Sequence, residues 1–82
     1  MIYIIWDEKA NRELNKLEVL IARRIVKKIR ELSENPYSGD VKKLKGEEGF
    51  RLRVGDYRII FTIEKDRIII LKVGHRKNVY ER

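Results

Sequence analysis

The chain opens with an apolar run, Ile2-Tyr3-Ile4-Ile5-Trp6, rich in β-branched and aromatic side chains. That composition predicts a first strand, buried on both faces. Asp7 follows as a helix N-cap, with Glu8 well placed in the first turn. From Glu8 to about Asn35 the apolar positions fall three and four apart. Ala10, Leu14, Leu17 and Ile21 start the stripe; Ala22, Ile25, Val26, Ile29 and Leu32 continue it, with Arg and Lys opposite. The period fits one long helix equally with a helical hairpin bent near Leu17–Val19, and no internal Gly or Pro decides between them. Asn35-Pro36 stops the helix, because a residue before Pro disfavours the α region.

Residues 36–49 read as a linker rich in Gly, Lys and Glu. Phe50–Val54 then alternates strictly, apolar at Phe50, Leu52 and Val54 and basic at Arg51 and Arg53. Gly55-Asp56 and Lys65-Asp66 are turn signals that bound Tyr57–Glu64 and lead into Arg67–Val73. The tail from Gly74 to Arg82 is short and basic. The expected architecture is an α+β domain spanning 1–82, with a largely antiparallel meander and helices on one face.

Composition narrows the chemistry. With 82 residues there is room for one core and no cofactor domain. The chain has no Cys and one His, which removes thiolate chemistry and leaves no evident metal site. No apolar run approaches the roughly 20 residues of a membrane span. The first residues are too short and lack the basic lead of a signal peptide, so the expected location is the cytoplasm. The net charge of +7 is uneven: +2 in residues 1–39 and +5 in residues 40–82. That excess points to the second half for a polyanionic partner.

A two-residue loop at Gly55-Asp56 would pair Val54 with Tyr57, Arg53 with Arg58, and Arg51 with Ile60. Three guanidinium groups would then share one sheet face. Like charges directly opposite cost up to roughly 1 kcal/mol, whereas a bound polyanion would resolve the repulsion, and Arg grips phosphate with two parallel bonds. The competing readings are a register off by one, or neutralisation by Asp56 and Glu64. Carried across Lys65-Asp66, the same register puts Lys72 on the core side with Ile59 and Ile70. A snorkelling stem or a different loop length would relieve that. His75, Arg76, Lys77 and Tyr80 would reach one end of the sheet. Lys42, Lys43 and Lys45 are candidate phosphate contacts, or simply solubilise their loop. No phosphate-binding Gly loop, carboxylate pair or serine triad is evident.

The whole chain resembles the RelE/ParE toxin superfamily, and its RelE branch in particular. The resemblance rests on Lys43-Leu44-Lys45-Gly46, on Phe50-Arg51-Leu52-Arg53-Val54, and on Gly55-Asp56-Tyr57-Arg58-Ile59-Ile60-Phe61. The ending Val73-Gly74-His75-Arg76-Lys77-Asn78-Val79-Tyr80 completes it. It implies a small curved antiparallel sheet, the N-terminal strand plus the C-terminal meander, with two N-terminal helices packed on one face. It implies a metal- and cofactor-independent ribonuclease that cuts mRNA in the ribosomal A site by 2′-hydroxyl attack on the adjacent phosphate. Carried over by motif, the catalytic set is Arg51, Arg53, Arg58, Arg76 and Tyr80. RNA contacts would come from Lys42, Lys43, Lys45 and Lys77. Where some members have Lys in the first of these strands, this chain has Arg51 and Arg53, which do not release a proton. His75 is then a candidate acid. The implied partners are an acidic RelB-like antitoxin, and operator DNA for the pair. The alternatives are a ParE-type gyrase inhibitor, a non-catalytic RNA- or ribosome-binding module, and a harmless member of the family.

Overall fold

A computed structural model describes residues 2–35, 39–46 and 48–77. In chain order the elements are β1 (Tyr3–Trp6), α1 (Glu8–Asn15), α2 (Val19–Glu34), β2 (Asp40–Lys43), β3 (Phe50–Val54), β4 (Tyr57–Glu64) and β5 (Arg67–His75). They form one five-stranded sheet in the order β1-β5-β4-β3-β2, with both helices on one face. The α+β architecture expected from the pattern is present.

Asp7 caps α1, its carboxylate accepting from the Lys9 amide at 3.2 Å. The helical stretch is two helices. An uninterrupted helix over residues 8–34 would run about 40 Å at 1.5 Å per residue, longer than the 31 Å maximum extent of the fold. The turn at Lys16–Glu18 folds it back, and Glu18 takes an extended conformation (φ −55°, ψ 142°) ahead of α2. Ala10 of α1 and Ile25, Ile29 and Leu32 of α2 are buried against Leu52, Ile59, Phe61, Ile68, Ile70 and Val73 of the sheet.

Three strand details differ from the sequence reading. β1 runs parallel to β5, Ile4 opposite Ile68 and Trp6 opposite Ile70, so the sheet is mixed. β1 is also not buried on both faces: Tyr3 is 65% and Ile5 40% exposed. Helices cover only one side of the sheet, so alternate residues of an apolar strand reach solvent. The segment read as a linker contains β2, an edge strand antiparallel to β3. Its sequence, Asp-Val-Lys-Lys, has one apolar residue and therefore no alternation to read. Gly49 lets the chain re-enter the sheet. Its φ is +124°, and a Cβ there would lie 3.0 Å from the Phe61 carbonyl oxygen.

The first hairpin has the expected register, with Arg53 opposite Arg58 and Arg51 opposite Ile60. Gly55 has φ +59°, as a tight turn with glycine leading requires. In the second hairpin the loop length is as expected, with Glu64 opposite Arg67 across Lys65-Asp66. A bulge then intervenes. Phe61 faces Ile70 and Ile60 faces Lys72, so Leu71 is the extra residue. Neither a snorkelling stem nor a longer loop accounts for Lys72; the bulge turns it to the face opposite the core.

β1 ends at Trp6, and the next residue, Asp7, donates its amide to the Ile70 carbonyl at 2.9 Å. Beyond that point β5 has no strand on this side. Glu13 of α1 fills the role, its Oε1 accepting from the Val73 amide at 2.9 Å in a partly buried setting. Glu13→Ala leaves that amide without its acceptor and lowers stability by about 1–3 kcal/mol. Urea denaturation checks this against Lys9→Ala, an exposed side chain on the same helix whose loss stays within about 0.5 kcal/mol.

Candidate nucleic-acid interface

The face of the sheet away from the helices collects the basic residues. Strand alternation and the register place two rows across it. One runs Lys42, Arg51, Ile60, Lys72; the other runs Asp40, Arg53, Arg58, Gly74. Arg51 and Arg58 are half-buried, with both Nε atoms out of reach of solvent, while Arg53 is exposed. Burial of those Nε atoms restricts the directions open to the two guanidinium groups. Gly74 sets no side chain opposite Arg58. Asp40, opposite Arg53, is the acidic residue of these rows. Asp56 offsets Arg76 at the end of the patch, whereas Glu64 lies apart from it. Asp56 lies in the turn with Arg76, and Glu64 is opposite Arg67 at the far end of β4.

Arg76 follows directly on β5 and is tied to the Gly55-Asp56 turn. Its amide donates to the Asp56 carbonyl at 2.8 Å, and its Nε stands 3.9 Å from the Asp56 carboxylate. It therefore sits at the end of the sheet nearest Arg53 and Arg58. His75 is placed differently. It pairs with Tyr57 on the helix-covered side, the rings edge-on with centroids 5.5 Å apart. Its Nδ1 accepts from the Lys77 amide at 3.2 Å, so a neutral ring carries its proton on Nε2.

Of the lysines expected to meet RNA, Lys42 shares the face with the arginines. Lys43 pairs with Phe50 and belongs to the helix side by alternation; Lys45 and Lys77 lie exposed in loops. Tyr80 lies outside the described residues. Lys72 was missed by sequence reasoning, because the bulge that exposes it leaves no mark in the unbroken apolar run Ile68–Leu71. Among the described residues no cluster of His, Cys, Asp and Glu is arranged to hold a metal ion, and no helix is long and apolar enough to cross a membrane.

Two helices on one face of a small mixed sheet, with the other face cationic, define the class of protein. The chain belongs to the RelE/ParE superfamily of toxins from type II toxin–antitoxin systems. The family model described as the ParE toxin of the type II parDE toxin–antitoxin system matches residues 4–80. Toxin RelE3 of Methanocaldococcus jannaschii is 44% identical over 50 residues, which cover 60% of this chain and 57% of that relative, little more than half its length. Among solved structures, the toxin–antitoxin complex RelBE2 of Mycobacterium tuberculosis superposes with a TM-score of 0.82 at 30% identity, covering 92% of this chain and 98% of that one. The RelB–RelE complex of Methanococcus jannaschii gives a TM-score of 0.75 at 31% identity, covering 89% and 91%.

The pairing of Arg53 with Arg58 carries a stability cost that can be measured. In an Asp40→Asn background, which removes the attraction of the acidic residue opposite Arg53 on β2, Arg53→Thr raises stability by up to about 1 kcal/mol at low salt. The gain shrinks toward 1 M salt, where the screening length is about 3 Å. Denaturation midpoints of both proteins across a salt series check this; a gain independent of salt would trace to β propensity instead.

Proposed function

We propose that this toxin is a ribonuclease of the RelE type, which cleaves mRNA in the ribosomal A site without a metal. The observation that carries the proposal is the gathering of Arg51, Arg53 and Arg58 on one open sheet face, with Arg76 at its end. A fold gains nothing from opposing guanidinium groups, while a phosphate backbone binds to them strongly. The face offers cations where a catalytic metal would need carboxylate or imidazole donors.

In this mechanism the ribose 2′-oxygen attacks the adjacent phosphorus as its proton is withdrawn. The bond to the 5′-oxygen breaks and that oxygen takes a proton from water, leaving a 2′,3′-cyclic phosphate and a 5′-hydroxyl. Arg58 and Arg76 stabilise the charge that builds on the phosphorane oxygens. Arg51 and Arg53 hold neighbouring phosphates. Tyr80 takes the 2′-hydroxyl proton, which requires nearby cations to favour its phenolate over a reference pKa of about 10. His75 faces Tyr57 and takes no part in this reading. Lys42 extends the phosphate-binding row; Lys43, Lys45 and Lys77 add charge around it.

An acidic antitoxin is the proposed protein partner, and the solved relatives support it, since both are complexes with antitoxins. The net charge of +7 suits such a partner. So does the groove of about 600 Å³ between α1 and α2, apolar at Leu14, Leu17, Val19 and Val26 and rimmed by Arg23, Lys27 and Arg30. These features fit an amphipathic acidic helix. Operator DNA is a further partner of the proposed toxin–antitoxin pair. The alternative reading, inhibition of DNA gyrase, follows the resemblance to the ParE branch, and the matching family model is described as a ParE toxin.

Primer extension on mRNA in a translating extract tests the proposal. Wild-type protein gives discrete cuts within codons that vanish when ribosomes are omitted. Arg58→Ala, properly folded, reduces them by about 100- to 1,000-fold, the usual loss for one transition-state donor. Tyr80→Phe also reduces them sharply; undiminished cleavage would remove Tyr80 from the chemistry. Folded wild-type protein that gives no cuts contradicts the ribonuclease reading. A supercoiling assay then decides for gyrase inhibition, and RNA binding without cleavage for a binding module.

A further inference from the structure

The bulge in β5 gives the basic face a residue that the motif resemblance does not supply. Without Leu71 as the extra residue, the register from Glu64–Arg67 would set Lys72 opposite Ile59 in the core. With it, Lys72 stands opposite Ile60 on the open face. Bulges recur beside functional sites because one added residue re-aims every side chain that follows. Here the shift ends the row Lys42, Arg51, Ile60, Lys72 in a cation at each end.

Three features fit Lys72 for a polyanion. It is half-buried, with the apolar Ile60 opposite to carry its stem, so its ammonium projects from a supported position. It is diagonal to Arg58, since Arg58 pairs with Gly74 two residues further on, and diagonal neighbours lie about 7–8 Å apart. Gly74 itself sets no side chain between them. At about 4.8 Å per strand, the row from Lys42 to Lys72 is roughly 14 Å long. It crosses the strands beside the Arg53–Arg58 pair.

We infer that the RNA backbone crosses the sheet along Lys42, Arg51 and Lys72, and that Lys72 is a direct phosphate contact. The inference rests on the ribonuclease reading and adds the direction of the bound strand and one binding residue. Lys72 holds substrate in place; the inference gives it no proton to transfer.

A fluorescein-labelled single-stranded RNA, methylated at every ribose 2′-oxygen so that it resists cleavage, tests this by anisotropy across a salt series. For single strands, each phosphate contact contributes about 0.7 to the slope of log affinity against log salt. Lys72→Met lowers the slope by about 0.7 and weakens binding about fivefold at 0.1 M salt. Lys72→Arg restores both. Lys65→Met, in the turn at the far end of β4, leaves both unchanged. An unaltered slope in Lys72→Met overturns the inference while leaving the ribonuclease reading intact. Equal loss in Lys72→Met and Lys72→Arg also overturns it, because the role would be structural. Wild-type protein with no affinity for the free RNA overturns the inference, while the ribonuclease reading, which requires ribosomes, stands or falls by the primer-extension assay.

Discussion

The helices cover one face of the sheet and leave the other open, and the rest of the molecule follows from that asymmetry. The chain between Glu8 and Glu34 folds back at Lys16–Glu18, so that both arms lie on the same side. Ile25, Ile29 and Leu32 are buried there against Phe61, Ile59 and Ile70. That burial supplies the main driving force, since apolar area removed from water contributes about 25 cal/mol per Å². On the other face the same strands are free of packing demands. Charges placed there carry the cost of partial burial and of mutual repulsion, offset in part by Asp40 opposite Arg53. The open face is therefore where the fold can carry a cationic surface, and Arg51, Arg53, Arg58 and Lys72 occupy it.

Two local devices hold that surface in register. The glycine-led turn at Gly55 sets Arg53 opposite Arg58, and Asp56 in the same turn holds Arg76 beside them. The bulge at Leu71 brings Lys72 into line. Glu13 secures β5 from the helical side at Val73, one residue before Gly74 and the Arg76 segment. The sheet is thus clamped at the end where the basic residues concentrate. Tyr3, Ile5 and Leu71 are exposed apolar side chains on the β1 and β5 strands.

Much of this was legible in the chain because it depends on local period. Strict alternation in Phe50–Val54 and the Gly-Asp turn gave the first hairpin and its arginine pair. The three-four spacing gave the helical stretch and its buried face. The bend in that stretch was not legible, because no residue between Asn15 and Val19 breaks a helix; it accompanies the packing of both arms into one core against the sheet. β2 was hidden by carrying one apolar residue, Val41. The bulge was hidden because Ile68–Leu71 are all apolar, so a slipped register and a regular one look alike in sequence. The parallel direction of β1 depends on how the helices return the chain. It is a property of the whole fold rather than of Tyr3–Trp6. The hairpin register set Arg53 beside Arg58, as found, yet neither it nor the family motifs could say that His75 turns to Tyr57 or that Lys43 leaves the face that Lys42 occupies.

The central claim is that RNA meets the open sheet face and not the basic face of α2. Backbone amide shifts of isotope-labelled protein, titrated at low salt with a short 2′-O-methyl mRNA fragment, test it most directly. The account predicts that the changes concentrate at Lys42, Arg51, Arg53, Arg58 and Lys72, with Arg23, Lys27 and Arg30 undisturbed. Changes confined to α2 would contradict it.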